Sequence, residues 1–217
     1  IDKVKALTNK AYFLSELLEI LFDTIKSKLN IDRIGVAFIN YQKEEIVAEY
    51  GVANYDNIVL NTGFKVSFDE TSLTDLIDKP EVIFENNLEK KYKEKPNSKS
   101  LNLIKKEDIK SNAIFPLIIG NQVFGYLFFS SRKKGNFTCE NIMIGKKIAN
   151  EIAGVIDKTY LTKTVFSKIT KTFADLVEKK DEETGQHLNR MESYSVFIAK
   201  LLLNNPKENY IIDRKFI

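Results

Sequence analysis

From Val4 onward, apolar side chains fall at alternating steps of three and four residues: Val4, Leu7, Ala11, Leu14, Leu18, Leu21 and Ile25. That spacing lines one stripe of an α-helix. Phe13, Leu17, Ile20 and Phe22 widen the stripe, so the predicted helix has apolar contacts on two sides, one of which suits a second subunit. After Asn30 the period becomes that of strands. RIGVAFIN (33–40), EEIVAEYG (44–51) and FKVSF (64–68) are short, rich in β-branched and aromatic residues, and bounded by polar turns. TSLTDLIDK (71–79) predicts a helix with Thr71 or Ser72 as N-cap and Pro80 as its stop, and EVIFEN (81–86) a further short strand. LEKKYKEKPNSKS (88–100), with Lys and Glu interleaved around Pro96, reads as a solvated loop. NAIFPLIIGNQVFGYLFFSS (112–131) places two apolar runs around Gly120 and Asn121, which predicts the central hairpin of an antiparallel sheet.

From about Thr138 the helical period returns. Ile148, Ile152, Val155, Thr159, Thr162, Phe166, Ile169, Phe173 and Leu176 alternate steps of four and three, the repeat that keeps one seam of a coiled coil facing a partner. Ile142 to Lys180 would extend roughly 58 Å, longer than a small domain, so a projecting rod is expected. The competing reading is a helix that covers its own sheet, because Thr159 and Thr162 interrupt the seam. With the first helix alongside, two copies would form a four-helix bundle, and a homodimer is the expected assembly. The fold class is α+β: an antiparallel sheet flanked by long N- and C-terminal helices.

Composition narrows the function. The 217 residues are 43% hydrophobic and 29% charged, a globular balance with no run near the roughly 20 apolar residues of a membrane span. IDKVKALTNK has no signal-peptide pattern, and without an initiator Met the chain is expected to be an excised or processed piece. The single cysteine, Cys139, excludes an internal disulfide and fits a reducing, cytoplasmic setting. A net charge of +3, with its densest basic stretch diluted by Glu, argues against a nucleic-acid partner.

The order of elements, the hairpin FPLIIGNQVFGYLFFSS (115–131) and the exit helix FTCENIMIGKKIANEIAGVI (137–156) resemble a GAF domain over roughly residues 10–157. That resemblance implies a pocket for a small molecule on one face of the sheet. It does not name the ligand. The compact FDE at 68–70 lacks the spacing of the cyclic-nucleotide-binding GAF domains, Cys139 is poorly placed for a bilin, and the only histidine lies outside the sheet domain, which disfavours haem.

FADLVEKKDEETGQHLNRMESYSVFIAKLL (173–202) resembles the entrance of an HD-GYP domain, with Asp181, Thr184, Gly185, His187 and Arg190 matching its pattern in order. Glu183 and His187 are four apart, so on a helix they rise from one face and can converge on a metal that accepts both imidazole and carboxylate, such as iron, manganese or zinc. In the family the matching His is a ligand, and in its trinuclear subset the matching Glu is too. The resemblance therefore implies Glu183 and His187 as ligands of iron or manganese in a di- or trinuclear site, with Asp181, Thr184, Gly185 and Arg190 structural. The bland reading of DEETGQHLNR is a solvated helix bend. The chain holds no His-Asp pair and no Gly-Tyr-Pro, so such a site is incomplete within it, and a truncated catalytic domain is expected.

The expected organisation is an N-terminal helix (1–30), a GAF domain (31–157), a signalling helix (158–180) and the start of an HD-GYP domain (181–217). The expected function is the sensory segment of a bacterial cyclic di-GMP phosphodiesterase, inactive on its own. The alternative is a non-enzymatic dimeric ligand-binding module with a degenerate or different output.

Overall fold

The computed structural model describes residues 13–60, 62–71, 73, 75–180 and 182–203. Helix α1 (Leu14–Leu29) forms along the predicted stripe and buries Leu14, Leu17, Leu18, Leu21, Phe22, Ile25 and Leu29. Val4, Leu7 and Ala11 lie outside the described residues. Asn30 ends the helix in the left-handed region at φ 50°, its N–H bonded to the Lys26 carbonyl. Asparagine tolerates that backbone better than most residues.

Six antiparallel strands follow: β1 (Arg33–Asn40), β2 (Glu45–Ala53), β3 (Lys65–Ser67), β4 (Ile83–Glu85), β5 (Ser111–Ile119) and β6 (Gln122–Ser131), in the order β3-β2-β1-β6-β5-β4. The β5–β6 hairpin turns at Gly120, φ 59°, with glycine first in a two-residue loop, as a type II′ turn requires. β6 and β1 are the two central strands. Alternation divides the sheet. Ile34, Val36 and Phe38 join the core with α1 and the exit helix, while Ala37 belongs to the cluster on the other face.

Two stretches depart from expectation. Among the described residues of 71–79 the helix is a four-residue one, α2 (Asp75–Asp78), preceded by a 3₁₀ turn at Phe68–Glu70. Thr71 stays extended, and its hydroxyl accepts the Leu73 N–H at 3.3 Å, so Thr71 forms a local turn ahead of the helix; Ser72, the other expected cap, lies outside the described residues. The solvated loop expected at 88–100 is instead helical: α3 (Leu88–Glu94) and α4 (Lys99–Lys106), the latter N-capped by Ser98. Leu88, Ile104 and Ile109 form a separate buried cluster with Tyr92 and Leu101 against them. Five apolar side chains spread among lysines suffice to fold the segment once the sheet is there to receive them.

Helix α5 (Cys139–Lys180) begins on the face carrying α1. Gly145 lets it approach the sheet, since a Cβ there would sit 2.3 Å from the Phe115 ring. The chain divides into two compact units, 1–160 and 161–217. Within the first, α5 buries Ile148, Ala149, Ile152, Ala153, Ile156 and Thr159. The Thr159 hydroxyl donates to the Val155 carbonyl at 2.7 Å, so Thr159 is a satisfied core position and not an exposed break in a seam. Within the second unit Leu161, Val165, Phe166, Ile169, Phe173 and Leu176 are all exposed, Phe166 at 71%. The second unit also holds α6 (Glu182–Leu203). No described helix is long and apolar enough to cross a membrane.

Candidate ligand pocket

The sheet face opposite α1 and α5 floors a cavity of about 110 Å³. Strand alternation chooses the floor: Arg33, Gly35 and Ala37 of β1, Asn112 and Ile114 of β5, and Phe128 and Ser130 of β6. Leu60, Phe64, Leu73, Leu88, Leu101 and Ile104 close it from the segments outside the sheet. The lining is mostly apolar, the pattern of a small-molecule site with a few orienting polar groups.

A buried polar network fixes one wall. Arg33 is 4% exposed and Glu107 1%. Arg33 Nε lies 3.3 Å from Glu107 Oε2, off the line of its N–H bond, so the pair is ionic without a hydrogen bond there. Arg33 Nη2 donates to the Leu60 carbonyl at 2.7 Å. The Glu107 carboxylate accepts the N–H groups of Val59 at 2.8 Å and Leu60 at 2.7 Å, and the Tyr55 hydroxyl. Arg132 stacks 3.8 Å above the Tyr55 ring and donates from Nε to the Glu107 carbonyl. Burial lowers the Arg33 pKa and the Glu107 charge opposes the fall; a guanidinium stays cationic through such shifts. Burial, then the bond to Glu107, pushes the Tyr55 hydroxyl well above the usual phenol range, keeping it a donor.

Two glycines make room for the cation. A Cβ at Gly35 would lie 2.9 Å from Arg33 Nη1, and one at Gly51 3.0 Å from Nη2. The guanidinium therefore lies against the sheet surface that these residues leave bare. A second anchor holds residue 73: Tyr126, fully buried, donates its hydroxyl to the Leu73 carbonyl at 3.1 Å. Sequence reading passed over Arg33, Glu107 and Tyr126. The available signal was a glycine in the interior of each of two neighbouring strands, which marks close approach of another group.

The residues singled out in the sequence lie elsewhere. Cys139 is exposed at the first position of α5. Phe68–Glu70 is a surface turn whose Glu70 pairs with Lys99 at 2.7 Å. Glu183, Thr184, Gly185, His187 and Arg190 fall within α6, where Glu183 and His187 are a turn apart. His187 and Arg190 are exposed. Asp181 and the side chain of Glu183 lie outside the described residues. Among the described residues, no three His, Cys, Asp or Glu side chains are grouped to hold a metal.

Similar folds are known. The GAF domain of a two-component sensor histidine kinase from Bacillus halodurans matches with a TM-score of 0.59 at 16% identity, over 70% of this chain and 99% of that one. The GAF domain of an Acinetobacter phosphoenolpyruvate-protein phosphotransferase gives 0.58 at 12%, over 74% and 92%. A GAF domain/HD domain protein from Geobacter sulfurreducens gives 0.53 at 16%, over 73% and 98%. No curated protein sequence matches the chain. The GAF domain family model matches residues 12–157, a stretch that includes the sheet, α1, the first half of α5 and the cavity, and the chain belongs to the GAF domain family.

Proposed function

We propose that the chain is the sensory and regulatory segment of a bacterial cyclic di-GMP phosphodiesterase. A small molecule in the GAF cavity biases α5, which leads to an HD-GYP-type output beginning near Asp181. The observation that carries this reading is the sequence DEETGQHLNR at 181–190, of which residues 182–190 open α6, following a helix rooted in the sensor sheet. The Geobacter protein of similar fold is named for a GAF domain together with an HD domain, the same two kinds of domain as in this reading.

The relay runs through the central strands. β1 presents Arg33, Gly35 and Ala37 to the cavity side and Ile34, Val36 and Phe38 to the helices. Phe38 stacks on Tyr160 of α5 with ring centroids 3.9 Å apart. A ligand that shifts β1 therefore acts on α5 at the last residue of the sensor unit, provided the two states bind it unequally. A second copy covering Phe166, Ile169 and Phe173 completes the assembly as a homodimer.

Glu183 and His187 suit iron or manganese by donor type. Two donors do not complete a di- or trinuclear site, and the 217 residues are expected to be inactive alone. Two further structures of similar fold are free methionine-R-sulfoxide reductases. Sulfoxide reduction needs a two-electron donor such as a thiol, and Cys139 is absent from the cavity lining.

Reading the coding sequence past the Ile217 codon tests the proposal. A His-Asp pair followed by Gly-Tyr-Pro in frame is expected. The chain carrying them should hold iron or manganese, and Glu183→Gln with His187→Ala should lower both metal content and cyclic di-GMP hydrolysis. An open frame without these motifs refutes the phosphodiesterase assignment.

A further inference from the structure

The floor of the cavity is divided into two rows by strand register. Glu85, Asn112, Ser130 and Arg33 are paired neighbours across β4, β5, β6 and β1. The next row, Ile83, Ile114, Phe128 and Gly35, is apolar. Arg33 starts in the polar row, but its guanidinium lies against Gly35 and Gly51, which places the cation at the end of the apolar row. Glu107 and the Leu60 carbonyl hold it there through Nε and Nη2. Among the described residues Nη1 makes no hydrogen bond, and Nε is buried without one. The Asn112 side chain accepts from Ser130 through Oδ1 at 3.0 Å, and its amide nitrogen donates to no described residue. Lys91 also lines the cavity, with no ion pair to a described residue.

We infer that the cavity takes a small monocarboxylate with a compact apolar body, its carboxylate on Arg33 Nη1 and its body over Gly35, Phe128 and Ile114. This inference rests on the reading of the cavity as the sensor site. Three features select the class. A guanidinium held at a fixed position with a spare N–H is a carboxylate donor. The apolar row beside it rewards a hydrocarbon body and leaves a fully polar oxyanion unpaid for its desolvation. A volume of about 110 Å³ has room for a single ring or a short branched chain. Asn112 and Lys91 supply further donors around the same floor, and the Glu85 carboxylate in the polar row disfavours a second negative charge on the ligand.

Calorimetric titration of the full chain with benzoate and 3-methylbutanoate, against benzamide and 3-methylbutanamide, tests the class without any mutation. The carboxylates should bind at least tenfold more tightly than their amides, and inorganic phosphate should not compete. Arg33→Gln leaves Glu107 buried and unpaired and is expected to fold poorly. The double change Arg33→Gln with Glu107→Gln keeps an acceptor for Val59 and Leu60, and should bring the carboxylate-to-amide ratio close to one. Equal binding of acids and amides by the unaltered chain overturns the carboxylate class while leaving a neutral-ligand sensor standing. Phosphate competing as well as benzoate overturns the role of the apolar row. A double variant that retains the preference removes Arg33 from the assignment, and binding of neither acids nor amides overturns both this inference and the reading of the cavity as a site for molecules of this size.

Discussion

Replacing Glu107 with alanine removes the partner of a buried cation and the acceptor of three donors at once. Arg33 keeps its charge at 4% exposure with its counter-ion gone, and breaking a buried pair from one side costs about 3–5 kcal/mol. The N–H groups of Val59 and Leu60, held at 2.8 and 2.7 Å, and the Tyr55 hydroxyl also lose their acceptor, at roughly 1–3 kcal/mol for each one left dry. These terms do not add, because the segment carrying residues 55–60 will relax and admit water from the cavity. A loss of about 4–6 kcal/mol is the resulting expectation, a large share of the roughly 5–15 kcal/mol that stabilises a domain. With a urea slope of about 2 kcal/mol/M, the unfolding midpoint followed by circular dichroism should fall by about 2–3 M. Glu107→Gln, which keeps a carbonyl acceptor but no charge, should lose roughly half as much. Arg33→Met combined with Glu107→Met should be more stable than Glu107→Ala by about 2 kcal/mol or more, since no charge is then stranded. A midpoint shift below about 0.5 M for Glu107→Ala, or a double variant no better than the single, would show that the guanidinium is solvated through the cavity and that the network does not hold the wall.

Gly145→Ala puts a methyl group 2.3 Å from the Phe115 ring; the overpacking cost of about 1–3 kcal/mol outweighs the gain in helix propensity of up to about 1 kcal/mol, so the melting temperature should drop, and a rise would mean that α5 can lift from the sheet freely. Burial alone would raise the Asp32 carboxyl, yet hydrogen bonds from Asn54, the Arg132 N–H and Ser131, with the Arg132 charge, hold it below its ordinary 3.8. Its stabilising contribution is therefore complete above about pH 3.8 and lost as the pH falls through the lower folded value, so the stability gap between the parent chain and Asp32→Asn should shrink on acidification in that window; a gap that widens there contradicts the assignment. Phe166→Glu with Phe173→Glu should abolish the proposed homodimer by light scattering while leaving the sheet domain's near-ultraviolet spectrum intact, and a mass that is the same for parent and variant would refute these residues as its contact.

Periodicity carried most of the architecture. The stripe from Leu14 to Ile25, the alternation in RIGVAFIN and the paired apolar runs around Gly120 each became the element they predict, because all of them face a single continuous core. The segment 88–106 did not, since Leu88 and Tyr92, or Leu101 and Ile104, give too short a stripe to stand out from the lysines around them. Its helices depend on the third cluster around Ile109, a tertiary fact. The exit helix shows both readings of its heptad: Ile148 and Ile152 are buried against the sheet domain, while Phe166 and Phe173 are exposed. A seven-residue repeat marks a helix with one apolar face and does not say whether sheet or subunit covers it. The pocket was the least legible part, because Arg33 and Glu107 are 74 positions apart in sequence and neither sits in a recognisable motif.

The cavity's floor and its cover are built from different kinds of interaction, and that difference decides where a ligand enters. The floor belongs to a six-stranded sheet whose other face is filled by α1 and α5, so moving it means disrupting the largest core in the chain. The cover is tied down at a few polar points: Val59 and Leu60 to Glu107, Leu60 to Arg33, and Leu73 to Tyr126. Local opening follows the path with the fewest buried apolar contacts to break, which here is the cover. Arg33 stands at both ends of that logic, since it binds the cover through the Leu60 carbonyl and offers its remaining N–H to the cavity. If an anion settles on Nη1 as inferred above, it would compete with Glu107 for the same charge, loosen the pair that holds residues 55–60, and so couple occupancy of the pocket to the closure of its cover. Hydrogen exchange at the Val59 and Leu60 amides measures this directly: benzoate should change their protection more than that of the Tyr126 or Leu127 amides in β6, and uniform protection across sheet and cover would mean that the cavity is filled without any coupling to its lid.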